Sequence, residues 1–393
     1  MGGAEMSGWK KVKLGDCCEI TSSKRCHASE RSVDGVPFYC SKEIIQLDKG
    51  EVIHHSDYIP VNLYESIKER FGVPSTGDLL LTTRGTNGIP YLYKESDYFY
   101  FADGNLSWFK NFTKDIDVRF IYYWFKSHEG KHIIDSIAKG TAQKAVPIEG
   151  LKNIEILTPT YTTQHRIATT LSRYDSLIEN YQKQIKLLEE AAQRLYKEWF
   201  VDLRFPGHEN TKIVDGMPEG WEKKNVGDLI SKIQKTKQVA ANNYQTSGII
   251  PVIDQSRNYI AGYTDDAECL VKVTIPYIVF GDHTRILKYI PFSFAKGADG
   301  TQLIMSNDLG RMPQTLFYNS LIGIDLSNYS YARHFKYLKE EFVLLPSEHI
   351  ARKYDSIVAK YFQSIQKCRE LIHLLTEGRD RLLPKLMSGE IKL

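Results

Sequence analysis

Two runs of apolar residues, spaced alternately three and four apart, constrain this 393-residue chain more than anything else in it. The first run is Leu171, Tyr174, Ile178, Tyr181, Ile185, Leu188, Ala192, Leu195 and Trp199. The second is Val358, Tyr361, Ile365, Cys368, Ile372, Leu375, Leu382 and Leu386, with Arg379 as a polar intruder. Such spacing over nearly four heptads is the pattern of a coiled-coil seam. A helix of about 36 residues would be about 54 Å long. That exceeds the width of a domain this size, so each helix is expected to pair with the other. Pro159 and Pro346 sit where proline marks a helix start. Pro384 should kink or fray the end of the second helix.

The helices belong to a larger repeat. GWKKVKLGD at 8–16 resembles GWEKKNVGD at 220–228, and ILTP at 156–159 resembles VLLP at 343–346. From Pro159 and Pro346 onward the copies run without a gap. Each copy is a body followed by a helix, so the chain reads as body, helix out, body, helix back. The expected domains are a first body at 1–159, a helix at 160–204, a linker and second body at 205–345, and a second helix at 346–393. FPGHENTKIVDGMPEG at 205–220 reads as the linker. The expected fold class is mixed α/β (α+β): two globular bodies joined by two long antiparallel coiled-coil helices, with an approximate two-fold repeat.

Within the bodies, GDLLLTTRGTNG at 77–88 reads as a strand entering a Gly-rich turn. YFYFADGNLSWF at 98–109 reads as two strands around the Asp103-Gly104 turn, and residues 120–138 as a helix and a half. TIPYIVFGDHTR at 274–285 and PFSFAKGADGTQL at 291–303 resemble the first two of these elements.

Composition narrows the function. Apolar residues are 42% and charged residues 25%, which excludes disordered, collagen-like and disulfide-scaffold chains. No run approaches 18 apolar residues and the first residues lack a signal-peptide core, so a cytoplasmic, non-membrane protein is expected. Six cysteines suit a reducing compartment, and their spacing lacks a zinc clip. P-loop, methyltransferase NPPY-type, G-x-S-x-G and H-E-x-x-H motifs are all missing. Glu222-Lys223-Lys224 has no acidic partner upstream of the kind a nuclease needs, and His54, His55 and His283 lack ligand spacing. A catalytic role and a bound cofactor are therefore not expected. The net charge of +3 supplies no bulk attraction for polyanions, so a nucleic-acid binder built this way would need local patches.

Such patches stand in loop contexts. The first body offers Thr83, Arg84, Thr86 and Asn87, then Lys139, Thr141, Gln143 and Lys144. The second offers Gln255, Ser256 and Arg257, then His283, Thr284 and Arg285, and Lys296. Arg matches guanine edges, Asn and Gln match adenine edges, and Lys, Ser and Thr match phosphates. Polar turns are common singly; here they recur in both bodies.

The residues also carry a family resemblance. LLTEGRDRLLPKLMSGEI at 374–391 and EEAAQRLYKEWFVDLRFPG at 189–207 resemble the conserved helical regions of type I restriction-modification DNA specificity subunits. KGTAQKAVPIEGLKNIEILTP at 139–159, VIDQSRNYIAGYTD at 252–265 and VFGDHTRILKYIPFSFAKGADGTQL at 279–303 resemble parts of their target-recognition domains. The resemblance implies a non-catalytic subunit that binds double-stranded DNA, with two methyltransferase subunits and motor/nuclease restriction subunits as partners. Each body would read one half of a bipartite, asymmetric site, and the helix pair would set the spacer. Tyr196, Phe200 and Leu383 fall off the helix seam. Packing on a body and docking on a methyltransferase subunit are both open for them. The nearly neutral bodies leave an alternative, a coiled-coil scaffold that binds other proteins.

Overall fold

The computed structural model describes residues 8–50, 53, 56–140, 144–234, 236–329 and 333–393. The chain divides into two compact units, Met1–Gln182 with Leu371–Leu393, and Lys183–Glu370.

In the first unit, strand Leu79–Thr82 organises the core. All four of its residues are buried. Successive side chains of a strand point to opposite faces. Leu79 and Leu81 accordingly join one cluster with Phe109, Phe120 and Phe125, while Leu80 joins another with Tyr91, Phe101 and Trp108. Leu79–Thr82 lies between antiparallel neighbours Pro90–Leu92 and Leu106–Lys110, and Glu19–Thr21 completes that sheet. A second sheet sets Val36–Tyr39 antiparallel to Asp57–Ile59 and parallel to Tyr100–Phe101. Lys10–Lys13 pairs with Glu155–Thr158.

The two strands around Asp103-Gly104 therefore exist but do not form a hairpin. Tyr100–Phe101 serves one sheet and Leu106–Lys110 the other. The expected helix and a half is two helices, Val118–Lys126 and His128–Ile137. Ser127 breaks them: its Oγ accepts from Gly130 N at 3.1 Å, which caps the second helix.

The second unit repeats the pairing scheme. Glu222–Asn225 pairs with Phe342–Leu345. Ile250–Ile253 lies antiparallel to Gly262–Thr264 and parallel to Phe294–Lys296. Tyr277–Gly281 lies between Leu287–Ile290 and Thr301–Ile304, both antiparallel. Helices Gln314–Ile322 and His334–Glu340 follow. At the start of the 205–220 segment Phe205 is buried, with its ring 4.8 Å from that of Trp221, while most of the segment is exposed.

The long helices are Tyr161–Tyr196, with 36 residues, and Glu348–Met387, with 40 residues. Each begins two residues after its proline, and the first runs on as a π-helical turn, Lys197–Val201. The second accommodates Pro384 in its last turn and stops three residues later. A proline there removes one N–H bond close to an end that is already releasing its carbonyls.

Pairing is antiparallel within each unit. In the first, Arg379 meets Asp175; in the second, Cys368 meets Gln184 and Tyr354 donates to Ala192 O at 3.2 Å. The seam is shared with the bodies. Leu171 and Leu386 enter the same cluster as Phe120 and Ile156, and Val358 and Ile365 the same cluster as Phe280 and Phe317. Body and helix are thus one hydrophobic unit, which explains why such long helices are stable without a uniform heptad seam. No helix among the described residues is long and apolar enough to cross a membrane.

Candidate nucleic-acid interface

In the first unit, the loop after Leu79–Thr82 is fixed by its first and last residues. Thr82 O accepts from Gly88 N at 2.8 Å, and Thr82 Oγ1 from Ile89 N at 2.9 Å. Gly85 and Gly88 have φ of 81°, the left-handed conformation that favours glycine. Thr83 N donates to Asn105 O at 2.8 Å, and Val146 N donates to Thr83 O at 2.9 Å. Thr83 thus ties three segments together through its backbone. Its side chain is 3% exposed, so it anchors the loop and presents little to a ligand.

The second cluster folds onto the first. Lys139 and Ala145 exchange two backbone hydrogen bonds of 2.8 Å. Arg84 bridges Ala145, and Asn87 Nδ2 donates to Lys144 O at 3.3 Å. Residues 83–87 lie beside Lys139 and residues 144–146, more than 50 positions away in sequence, and form one surface with them. Arg84, Thr86, Lys139 and Lys144 are exposed on it, while Asn87 is half-buried and partly committed to Lys144. Thr141 and Gln143 lie outside the described residues.

The second unit builds the same junction from different residues. Asp282 N donates to Gly300 O at 2.7 Å, and His334 N donates to Asp282 O at 3.0 Å. These bonds match Thr83 to Asn105 and Val146 to Thr83. Gln255 is the hub of the loop cluster. Its Nε2 donates to Asp299 O at 2.9 Å, its Oε1 accepts from His283 N at 3.1 Å, and its backbone O accepts from Thr284 Oγ1 at 2.7 Å. Gln255 and Thr284 therefore spend much of their hydrogen-bonding capacity inside the protein. Ser256 is likewise turned inward, with N and Oγ both on Asp254 Oδ1.

Arg257, His283 and Arg285 remain exposed. Arg285 has φ of 61° and donates to Leu326 O at 3.2 Å, so its guanidinium is partly engaged. Arg257 borders a groove of about 700 Å³ that Tyr259, Lys288 and Arg369 also line. Lys296 is half-buried opposite Ile253, and burial lowers its pKa.

Several residues at these junctions escaped the reading of the sequence. Ser41 Oγ donates to Asn105 O at 3.0 Å, and His334 is buried with its Nδ1 2.8 Å from Asp282 O. Lys288 is 4% exposed, and burial pushes its pKa down to about 8 despite nearby Asp254. For Lys288 a signal existed, a lysine inside the apolar strand ILKYI. For Ser41 there was none.

The residues off the helix seam are placed as follows. Phe200 is 2% exposed, packed by Trp221 and Tyr354. Leu383 lies in the core of the first unit beside Leu386. The ring of Tyr196 lies tilted against that of Phe200 at 5.5 Å, and burial raises its pKa to about 12. Phe200 thus packs within the core of the second unit and Leu383 within the core of the first.

Comparisons with known proteins agree with this architecture. Residues 6–190 match the family model described as Type I restriction modification DNA specificity domain. The Type I restriction enzyme MjaIX specificity subunit of Methanocaldococcus jannaschii is 27% identical over 346 residues, covering 81% of this chain and 78% of the relative. A putative type I restriction enzyme specificity subunit of Haemophilus influenzae, S.HindORF215P, is 25% identical over 48% of this chain and 46% of its own. Among solved structures, the S subunit of a type I restriction-modification system from M. genitalium superposes with a TM-score of 0.61. It covers 98% of both chains at 16% identity, which is a likeness of fold. Residues 6–190 thus resemble that specificity domain, and most of the chain is similar to a type I restriction enzyme specificity subunit.

Proposed function

We propose that this chain is the DNA-reading subunit of a type I restriction-modification complex. Each body reads one half of a bipartite, asymmetric site, and the helices act as the ruler for the unread spacer. The bodies are residues 1–159 and 205–345, and the helices 160–204 and 346–393. The observation that carries the reading is the duplicated loop junction. Two units with different loop sequences hold their loops by the same pair of backbone bonds, which suits a scaffold that presents two different reading surfaces.

In the first body the proposed readers are Arg84, Thr86, Asn87, Lys139, Thr141, Gln143 and Lys144, on the Thr83 anchor. In the second they are Arg257, His283, Arg285 and Lys296, on the frame of Gln255, Ser256 and Thr284. Guanidinium forks match guanine edges, and lysines match phosphates. The chain is proposed to be non-catalytic. Adenine methylation would belong to two methyltransferase subunits, and cleavage to restriction subunits. Their docking surface would include Tyr196, the least buried of the three off-seam residues.

The test is a methylome. The chain is co-expressed with the methyltransferase subunit of its system in a methylation-free bacterial host, and modified adenines are mapped. A two-part motif with a fixed gap, lost when this chain is omitted, is the expected result. A soluble complex that methylates nothing new would instead favour the protein-binding scaffold. Binding should also weaken with salt, with a log–log slope of about −0.9 per neutralised phosphate.

A further inference from the structure

Lys288 has no place among the proposed readers, yet it is the most deeply buried of the lysines around the second reading surface, at 4% exposed. It sits on strand Leu287–Ile290 opposite Val279, one strand away from the loops it serves. Its Nζ donates to Asp254 O at 2.8 Å and to Asn258 O at 2.5 Å. Asp254 Oδ1 lies 3.8 Å away. The two carbonyls are the ends of the turn that carries Gln255, Ser256 and Arg257. One ammonium thus closes the whole turn, and buried N–H⁺ donors to carbonyls are among the stronger hydrogen bonds available to a protein.

The turn in turn holds its neighbours. Gln255 binds His283 N, Thr284 Oγ1 and Asp299 O. Tyr244 Oη donates to Asp254 Oδ2 at 3.4 Å and accepts from Ala298 N at 3.3 Å. Two glycines show how tightly these loops are set. A Cβ on Gly281 would lie 2.1 Å from Thr284 Oγ1, and one on Gly297 would lie 2.6 Å from Asp254 Cβ. Loops 254–258, 282–286 and 297–300 are therefore packed and hydrogen-bonded as one cluster.

We propose that Lys288 is a positioning residue for sequence specificity: by clamping Asp254 O and Asn258 O it sets where Arg257 and the Gln255-bound loop 282–286 stand against one half-site. This inference rests on the DNA-reading function proposed above and names a residue that contacts no base. A methionine at 288 would keep the apolar stem and orphan two buried carbonyls, freeing the turn. Loose readers accept more bases. The consequence is degeneracy in one half of the recognised sequence, with the other half and the gap unchanged.

The experiment compares methylomes of the whole complex carrying wild-type chain, Lys288→Met, Arg257→Ala and the double variant. The wild type must first yield a two-part motif; if it yields none, the DNA-reading function itself falls, and the clamp with it. Given that motif, Lys288→Met is expected to lower base discrimination about tenfold in the half-motif that Arg257→Ala also affects. The double variant should then lose little more than either single one, because both act through one turn. A variant that were merely less stable would methylate fewer copies of an unchanged motif, and that result overturns the clamp. So does an unchanged motif at wild-type levels. Where Lys288→Met fails to fold, Ser256→Ala loosens the same turn with the lysine in place; it must blur the same half-motif, and a sharp motif there overturns the proposal.

Discussion

The two units share a strand scheme and differ in how they secure it. After Val36–Tyr39 the first unit enters helix Ser41–Asp48, and Ser41 ties that helix to the 102–105 turn through Asn105 O. After the matching strand Ile250–Ile253 the second unit has no helix; it makes the turn that Lys288 closes. At the position of Lys288, paired with the central strand, the first unit has Tyr91, which donates to Asp97 instead. The helix seam differs in the same way. At the sequence offset of 187 that relates the helices, Arg379 and Asp175 correspond to Ala192 and Phe362. One unit spans the seam with an ion pair of 2.6 Å, which Tyr123 joins by donating to Asp175 at 2.6 Å; the other fills it with apolar side chains. The scaffold needs a strand pattern and a filled seam, and it tolerates either chemistry at both points. A duplicated fold can in this way diverge in its loops without losing its frame.

The sharpest way to break the comparison is at the seam. Arg379→Ala leaves Asp175 half-desolvated with only Tyr123 as a partner, and should cost about 3 kcal/mol or more of stability in denaturant unfolding. Adding Asp175→Phe, which copies the second unit's solution, should recover part of that loss. If the double variant is less stable than Arg379→Ala alone, the two seams are not interchangeable.

The next effect concerns Lys288. Its pKa is depressed from 10.5 to about 8 in the folded protein, so between those values the unfolded chain binds more protons and stability should rise with pH. The gain is on the order of 2 kcal/mol. Burial also raises the thiols of Cys17 and Cys18, which pulls stability the other way above pH 9. The measurement is therefore the difference between wild type and Lys288→Met across pH 8 to 10, where a flat difference would contradict a depressed pKa.

Smaller again is Arg84→Ala. The side chain is exposed, so unfolding should be unaffected. Discrimination in one half-site should fall by about 1–3 kcal/mol, read as a relaxed methylation motif. Arg84→Ala and Arg257→Ala should relax opposite halves; if both relax the same half, the units do not divide the site between them. The smallest expected effect is a null. Burial holds Cys17 near a pKa of 11 and Cys18 near 12, so neither should react with a thiol reagent at pH 8 while the chain is folded.

The long helices, their antiparallel return and the repeat were legible in the residues, because each rests on local periodicity. A heptad stripe names its own partner face, and two stripes at a constant offset name each other. Strand Leu79–Thr82 and its counterpart Tyr277–Gly281 were legible for the same reason. The candidate surface was legible in part: Arg84, Lys139, Lys144 and Arg257 stand exposed where polar turns were read. Thr83, Gln255, Ser256 and Thr284 look identical to them in sequence, yet the fold spends these side chains or their backbones on holding loops together. No periodicity distinguishes a polar residue facing outward from one facing the next loop.

What the chain's own pattern determined was the set of elements and their duplication, since hydrophobic spacing acts over a few residues. Only the tertiary structure decided that strands 100–101 and 106–110 serve different sheets, that residues 84–87 meet Lys144 and Ala145, and that one lysine at 288 closes a turn beginning at 254. Those outcomes depend on contacts between segments about 30 to 60 residues apart, where the ordering cost is met by the packed core as a whole and leaves no local trace.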